Sequence, residues 1–134
     1  MGGRDATKSA RSAAVADFDG DGRLDLAVNN FNDRAHLYMN RGPQRNWLAF
    51  KLAGTSANRD AVGAVVRLHA GGRARIGQVQ AAGGYLAQSS KTVHFGLGDA
   101  TAVESCEIRW PGGGVQKIGA PEINRMHRIV EPRE

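Results

Sequence analysis

A chain of 134 residues and 14.3 kDa has room for one ordinary core, or for a small domain with an appendage. Its 18 glycines and 6% aromatic content favour short strands joined by tight turns over long helices, so the expected fold is all-β. Lys and Arg number 18 against 13 Asp and Glu, giving +5 and a pI near 10.0, but they are scattered singly without an aromatic platform. That pattern argues against a basic nucleic-acid binder, and no run of about 18 apolar residues offers a membrane span.

Residues 1–12 are small, polar and aperiodic, and read as a loose arm. The first eight residues lack the apolar segment of a signal peptide, so the chain as given is expected to be soluble and unaddressed, or a piece of a longer exported protein. Strands are expected over 13–18 and 24–29, around the loop Asp17-Phe18-Asp19-Gly20-Asp21-Gly22-Arg23-Leu24-Asp25. Four of the chain's eight aspartates fall in these nine residues. Crowded carboxylates repel unless a cation lies between them, and hard oxygens at alternate positions suit Ca²⁺, which takes about six to eight of them. Asp17, Asp19, Asp21 and Asp25 would supply side chains, Arg23 its backbone carbonyl, and Gly20 and Gly22 the tight turning. An EF-hand is excluded, because position twelve is Val28 where that loop needs a bidentate Glu, and the flanks read as strands rather than helices. A turn at 29–33 and a third strand over 35–39 follow, closed by Asn40-Arg41-Gly42-Pro43.

The run from Val15 to Val28, followed by Leu37-Tyr38-Met39-Asn40-Arg41-Gly42, resembles one FG-GAP (VCBS-type) repeat of the integrin-α-like β-propellers. The resemblance implies that these aspartates bind Ca²⁺ and stiffen a propeller blade, generally on an exported protein. One repeat cannot bury both of its faces, so its apolar side should pack on the rest of the chain or on another copy, and self-association is expected.

From Asn46 a series of hairpins is expected. Strands are read at 47–52, 62–69, 73–80, 85–90, 92–95, 103–110, 115–118 and 126–130, with Gly71-Gly72 and Pro111-Gly112-Gly113-Gly114 as turns. Short turns between antiparallel neighbours point to a sandwich or squat barrel, with the calcium repeat packed on it. Four segments, Ser56–Ala64, Gly84–Ser89, Val93–Gly98 and Ile108–Gly113, together resemble the ASPIC/UnbV domain of the family of cartilage acidic protein and its bacterial relatives, over roughly 46–131. That resemblance implies domains at 13–45 and 46–134 and an extracellular recognition role, without naming an activity.

Elsewhere the chemistry is sparse. Cys106 is a single thiol sharing a strand face with Ile108 and Trp110, and reads as buried. His36, His69, His94 and His127 show no ligand spacing, and the Gly-Leu-Gly and Gly-Gly-Gly runs lack the context of a phosphate cradle. Two groups remain as ligand contacts: Asn58, Arg59 and Asp60 before an apolar strand, and Tyr85, Gln88 and Ser89 after Gly83-Gly84. No nucleophile elbow, His-Glu-x-x-His or Cys/His pair is present. The reading is therefore a calcium-stabilised, non-enzymatic binding or structural module for a protein or glycan. A carbohydrate-active enzyme or accessory subunit with a structural calcium is the alternative, and a nucleic-acid binder the second.

Overall fold

The computed structural model describes residues 9–133, all strand, turn and irregular chain. Among them there is no helix, so none long and apolar enough to cross a membrane. The chain divides into two compact units, one of residues 1–42 with 82–90, the other of 43–81 with 91–134.

In the first unit, β1 (Ala10–Ala16), β2 (Asp25–Asn30) and β3 (His36–Tyr38) form an antiparallel sheet in that order. β1 begins before the expected residue 13, because Ala10 pairs with Asn30 across a bulge and Phe31 N–H donates to Ser9 O at 2.8 Å. The expected loose arm thus ends at residue 9 or earlier, and its residues 1–8 lie outside the described chain. Residues 85–90, expected to be a strand, instead turn through Gly84 (φ 85°) and Leu86 (φ 48°). They then cover the free edge of β1: Val15 N–H donates to Ser89 Oγ at 3.1 Å and Ser90 N–H to Val15 O at 3.0 Å. An open strand edge would expose unpaired amides, and this segment satisfies one of each kind.

The second unit holds two sheets, β10-β4-β7 and β6-β5-β8-β9. Their strands are β4 (Asn46–Ala53), β5 (Val65–Ala70), β6 (Arg73–Gln78), β7 (Val93–Gly98), β8 (Ser105–Arg109), β9 (Val115–Gly119) and β10 (Met126–Val130). Alternation does what the sequence pattern asks. Leu48, Phe50 and Leu52 of β4, Val66 and Leu68 of β5, Val93, Phe95 and Leu97 of β7, and Cys106 and Ile108 of β8 are buried in one core. Two inner faces sharing a core make a sandwich. The sheets do not close on themselves, which removes the squat barrel. Gly77 lets β6 approach β7, since a Cβ there would stand 2.4 Å from Val93 Cγ1 and 3.1 Å from Phe95 Cζ.

Two other expectations change. Residues 62–64 are loop rather than strand, entered through Ala61 at φ 52°. The terminal strand β10 pairs parallel with β4, Met126 opposite Ala49 and Val130 opposite Ala53, so one pairing in the sandwich is not antiparallel. Burial pushes the Cys106 thiol up to about 12, with Glu107 adding to the effect, and the cysteine is an inert core residue.

Candidate metal centre

The β1–β2 loop coils around Asp17. Its Oδ1 accepts from Gly20 N–H at 2.8 Å and Asp21 N–H at 3.1 Å, and its Oδ2 from Gly22 N–H at 2.9 Å. Gly20 and Gly22 take φ values of 75° and 86°, which side-chain-bearing residues avoid, so the aspartate register needs both glycines. This coil brings carboxylate oxygens of Asp17, Asp19 and Asp21 within 4.8 Å of one another. The donor set is all hard, anionic oxygen, with no imidazole or thiolate, and fits Ca²⁺ rather than a softer metal.

Asp25, the fourth predicted ligand, does not join that cluster. It is 2% exposed and works as a clasp: Oδ2 accepts from Phe18 N–H at 2.9 Å and Oδ1 from Asn40 N–H at 2.7 Å. One carboxylate therefore ties the loop's start to the chain leaving β3.

Arg23 was expected to contribute its carbonyl. Its side chain has a second occupation: Nε donates to Asp21 Oδ2 at 2.9 Å, Nη2 pairs with the same oxygen, and Nη1 donates to Gly42 O at 2.9 Å. The Arg23 guanidinium and backbone N–H together hold the Asp21 carboxyl below its ordinary range, and Asp21 in turn raises Arg23. Arg41, absent from the predicted site, places Nη1 3.0 Å from Asp19 Oδ2 and 3.7 Å from Asp21 Oδ2. Its only signal in the sequence is its place in Asn40-Arg41-Gly42, after the strand that returns beside β2.

The other predicted contacts fall in different units. Asn58 braces its own turn, donating from Nδ2 to Val62 O at 3.0 Å and accepting from Val62 N–H at 2.8 Å. Arg59 O accepts from Gly54 N–H at 3.0 Å, and Asp60 is ion-paired with Lys91, which lowers its pKa. In the first unit Tyr85 and Gln88 are exposed, while Ser89 is engaged by β1. Two of the histidines stack on aromatic rings, His94 on Trp47 and His127 on Phe50.

The second unit also contains a cleft of about 540 Å³ that the sequence reading did not foresee, lined by Thr55, Ser56, Trp110, Gln116, Glu131 and neighbours. At its base the buried Glu131 accepts from Thr55 N–H at 2.7 Å and Ser56 N–H at 3.0 Å. These donors, Ser56 foremost, hold its carboxyl below the usual glutamate value. Nothing local marks Glu131, because its partners lie some 75 residues away.

Comparison with known proteins matches residues 54–134 to the family model described as ASPIC and UnbV, and residues 9–37 to the FG-GAP repeat. Cartilage acidic protein 1 of Xenopus tropicalis is 36% identical over 130 residues, and its human counterpart 34% identical over 129. These alignments cover 90% of this chain but 20% and 19% of those proteins, so the chain spans about a fifth of the curated relatives it matches.

Proposed function

The chain belongs to the ASPIC and UnbV family, and from that premise we propose that it is a calcium-stabilised, non-enzymatic binding or structural module of the extracellular space, recognising a protein or glycan. The observation that carries this reading is the trio of Asp17, Asp19 and Asp21 carboxylates gathered within 4.8 Å inside an FG-GAP repeat. The name of the relatives, cartilage acidic protein, supports the extracellular setting.

In this reading Asp17, Asp19, Asp21 and Asp25 hold Ca²⁺ by side chains and Arg23 by its carbonyl. Bound calcium supplies charge neutralisation. The chain's own residues do the rest: Asp17 fixes the coil through Gly20, Asp21 and Gly22, and Asp25 fixes both ends of the loop. Stiffening β1 and β2 in this way holds the exposed Tyr85 and Gln88 beside β1, where Ser89 is anchored, in one presentation for a ligand. Asn58, Arg59 and Asp60 form a second contact patch in the other unit. The first unit also exposes Phe18, Leu24, Phe31 and Leu37, and another copy of the chain is proposed to cover them.

Thermal unfolding in EGTA, in millimolar CaCl₂ and in MgCl₂, with light scattering for mass, tests both parts. Calcium at about 100 times its Kd adds roughly 2.7 kcal/mol, a rise of several degrees, and Asp19→Ala should abolish that rise. No calcium-selective rise in the unsubstituted chain would refute the calcium reading, and a monomer mass throughout would refute the self-association.

A further inference from the structure

Three carboxylates within 4.8 Å carry three negative charges, and their repulsion must be met by something. Among the described residues the guanidiniums of Arg23 and Arg41 lie on the cluster, and they are held very differently. Arg23 is fastened at both ends of its fork, to Asp21 Oδ2 and to Gly42 O, with its side chain 21% exposed. Arg41 reaches the cluster through Nη1 alone, 3.0 Å from Asp19 Oδ2 and 3.7 Å from Asp21 Oδ2, and its side chain is 65% exposed. Exposed ion pairs of the second kind are weak, whereas a doubly anchored guanidinium is part of the loop's framework.

The geometry assigns the roles. Arg23 cannot leave without giving up its bonds to Asp21 and Gly42, whereas Arg41, held through one nitrogen and largely exposed, can leave without undoing the loop. A guanidinium on Asp19 and a divalent ion on Asp19 compete for the same carboxylate and repel one another.

We propose that Arg41 is a displaceable counter-cation: it occupies Asp19 and the Asp21 side of the loop in the absence of metal, and a divalent ion must expel it to bind. Arg23 stays, as a fixed part of the site. This inference rests on the calcium reading of the same loop. It gives the loop an internal competitor that lowers divalent-ion affinity while keeping the carboxylates from repelling one another in the metal-free protein.

The test is calorimetric titration of CaCl₂ into the EGTA-stripped full chain, comparing the unsubstituted protein, Arg41→Gln and Arg34→Gln. Arg34 lies in the β2–β3 turn and makes no ion pair with the loop among the described residues, so it removes one positive charge from the same unit without touching the cluster. Arg41→Gln should bind Ca²⁺ about three- to tenfold tighter, and Arg34→Gln within about twofold of the unsubstituted chain. Equal affinity of Arg41→Gln and the unsubstituted chain would overturn the competition while leaving the calcium site standing. Weaker binding by Arg41→Gln would overturn it as well, by making Arg41 a support of the site. Equal tightening in both variants would reduce the effect to net charge and overturn the specific role of Arg41. Absence of heat and of saturable binding in all three proteins would remove the calcium reading, and the proposal with it.

Discussion

The two units of this chain are held together by opposite means. Among the described residues every buried apolar side chain lies in the sandwich unit, from Leu48 to Trp110, whereas the buried side chains of the repeat unit are polar, Asp25 and Asn30. The repeat unit meanwhile exposes seven large apolar residues, Phe18, Leu24, Leu26, Phe31, Leu37, Tyr85 and Leu86, against four in the larger unit. Charge divides as sharply: six Lys and Arg against six Asp and Glu in the repeat unit, twelve against seven in the sandwich unit, which therefore carries the whole +5. A sheet with two faces and too little chain to cover them cannot rest on apolar burial, so hydrogen bonds to carboxylates and paired charges take its place. On the proposed reading, the repeat unit is where a bound ion or partner adds to stability.

That contrast is open to test at several strengths. The largest effect belongs to the sandwich core: Phe50→Ala, at a fully buried ring packed edge-on to Phe95, should cost about 3–5 kcal/mol in denaturant unfolding. Both tryptophans, Trp47 and Trp110, lie in this unit, so their fluorescence reports the loss directly. A loss below about 1 kcal/mol would mean the apolar core is not what stabilises it.

In the repeat unit the corresponding break is polar. Asp25→Ala orphans the Phe18 and Asn40 amides, each costing about 1–3 kcal/mol if it stays dry. Hydrogen exchange should quicken at those two amides first. Unchanged exchange there would show that the clasp carries no weight.

The smallest effect sharpens the comparison from the sandwich side, through the one buried carboxylate among its described residues. Glu131 has its folded pKa depressed by the Ser56 and Thr55 amides. Its contribution to stability is therefore full above the unfolded value near 4.5 and is lost as pH falls through the lower folded value. Glu131→Gln should flatten that part of the acid limb in tryptophan-detected unfolding. An unaltered limb would place the acid sensitivity elsewhere.

Much of this was legible along the chain. Strand alternation in β4, β5, β7 and β8 follows a period of two and needs no distant information, so Leu48, Phe50, Val66, Leu68 and Ile108 were readable as core. The loop was readable for the same reason, since Asp17, Gly20, Asp21 and Gly22 satisfy one another within five residues. What was not legible shares one cause. Residues 85–90 have strand-like texture, but Ser89 and Ser90 bond to Val15, some 75 residues earlier, and that pairing sets their course. Asp25 is legible in ligand register, but not the backbone amides it also serves, Asn40 arriving from β3 at one oxygen and Phe18 at the other.

The order of residues along the chain thus contains the local rules: which positions alternate, where glycine permits a coil, and which carboxylates a coil will gather. It does not contain the partners that arrive from afar. Arg41 over Asp19, Glu131 beneath Thr55 and Ser56, and β10 lying parallel to β4 each depend on chain closure across tens of residues. Loop closure weakly penalises one distant partner over another, so packing of the folded whole selects among them.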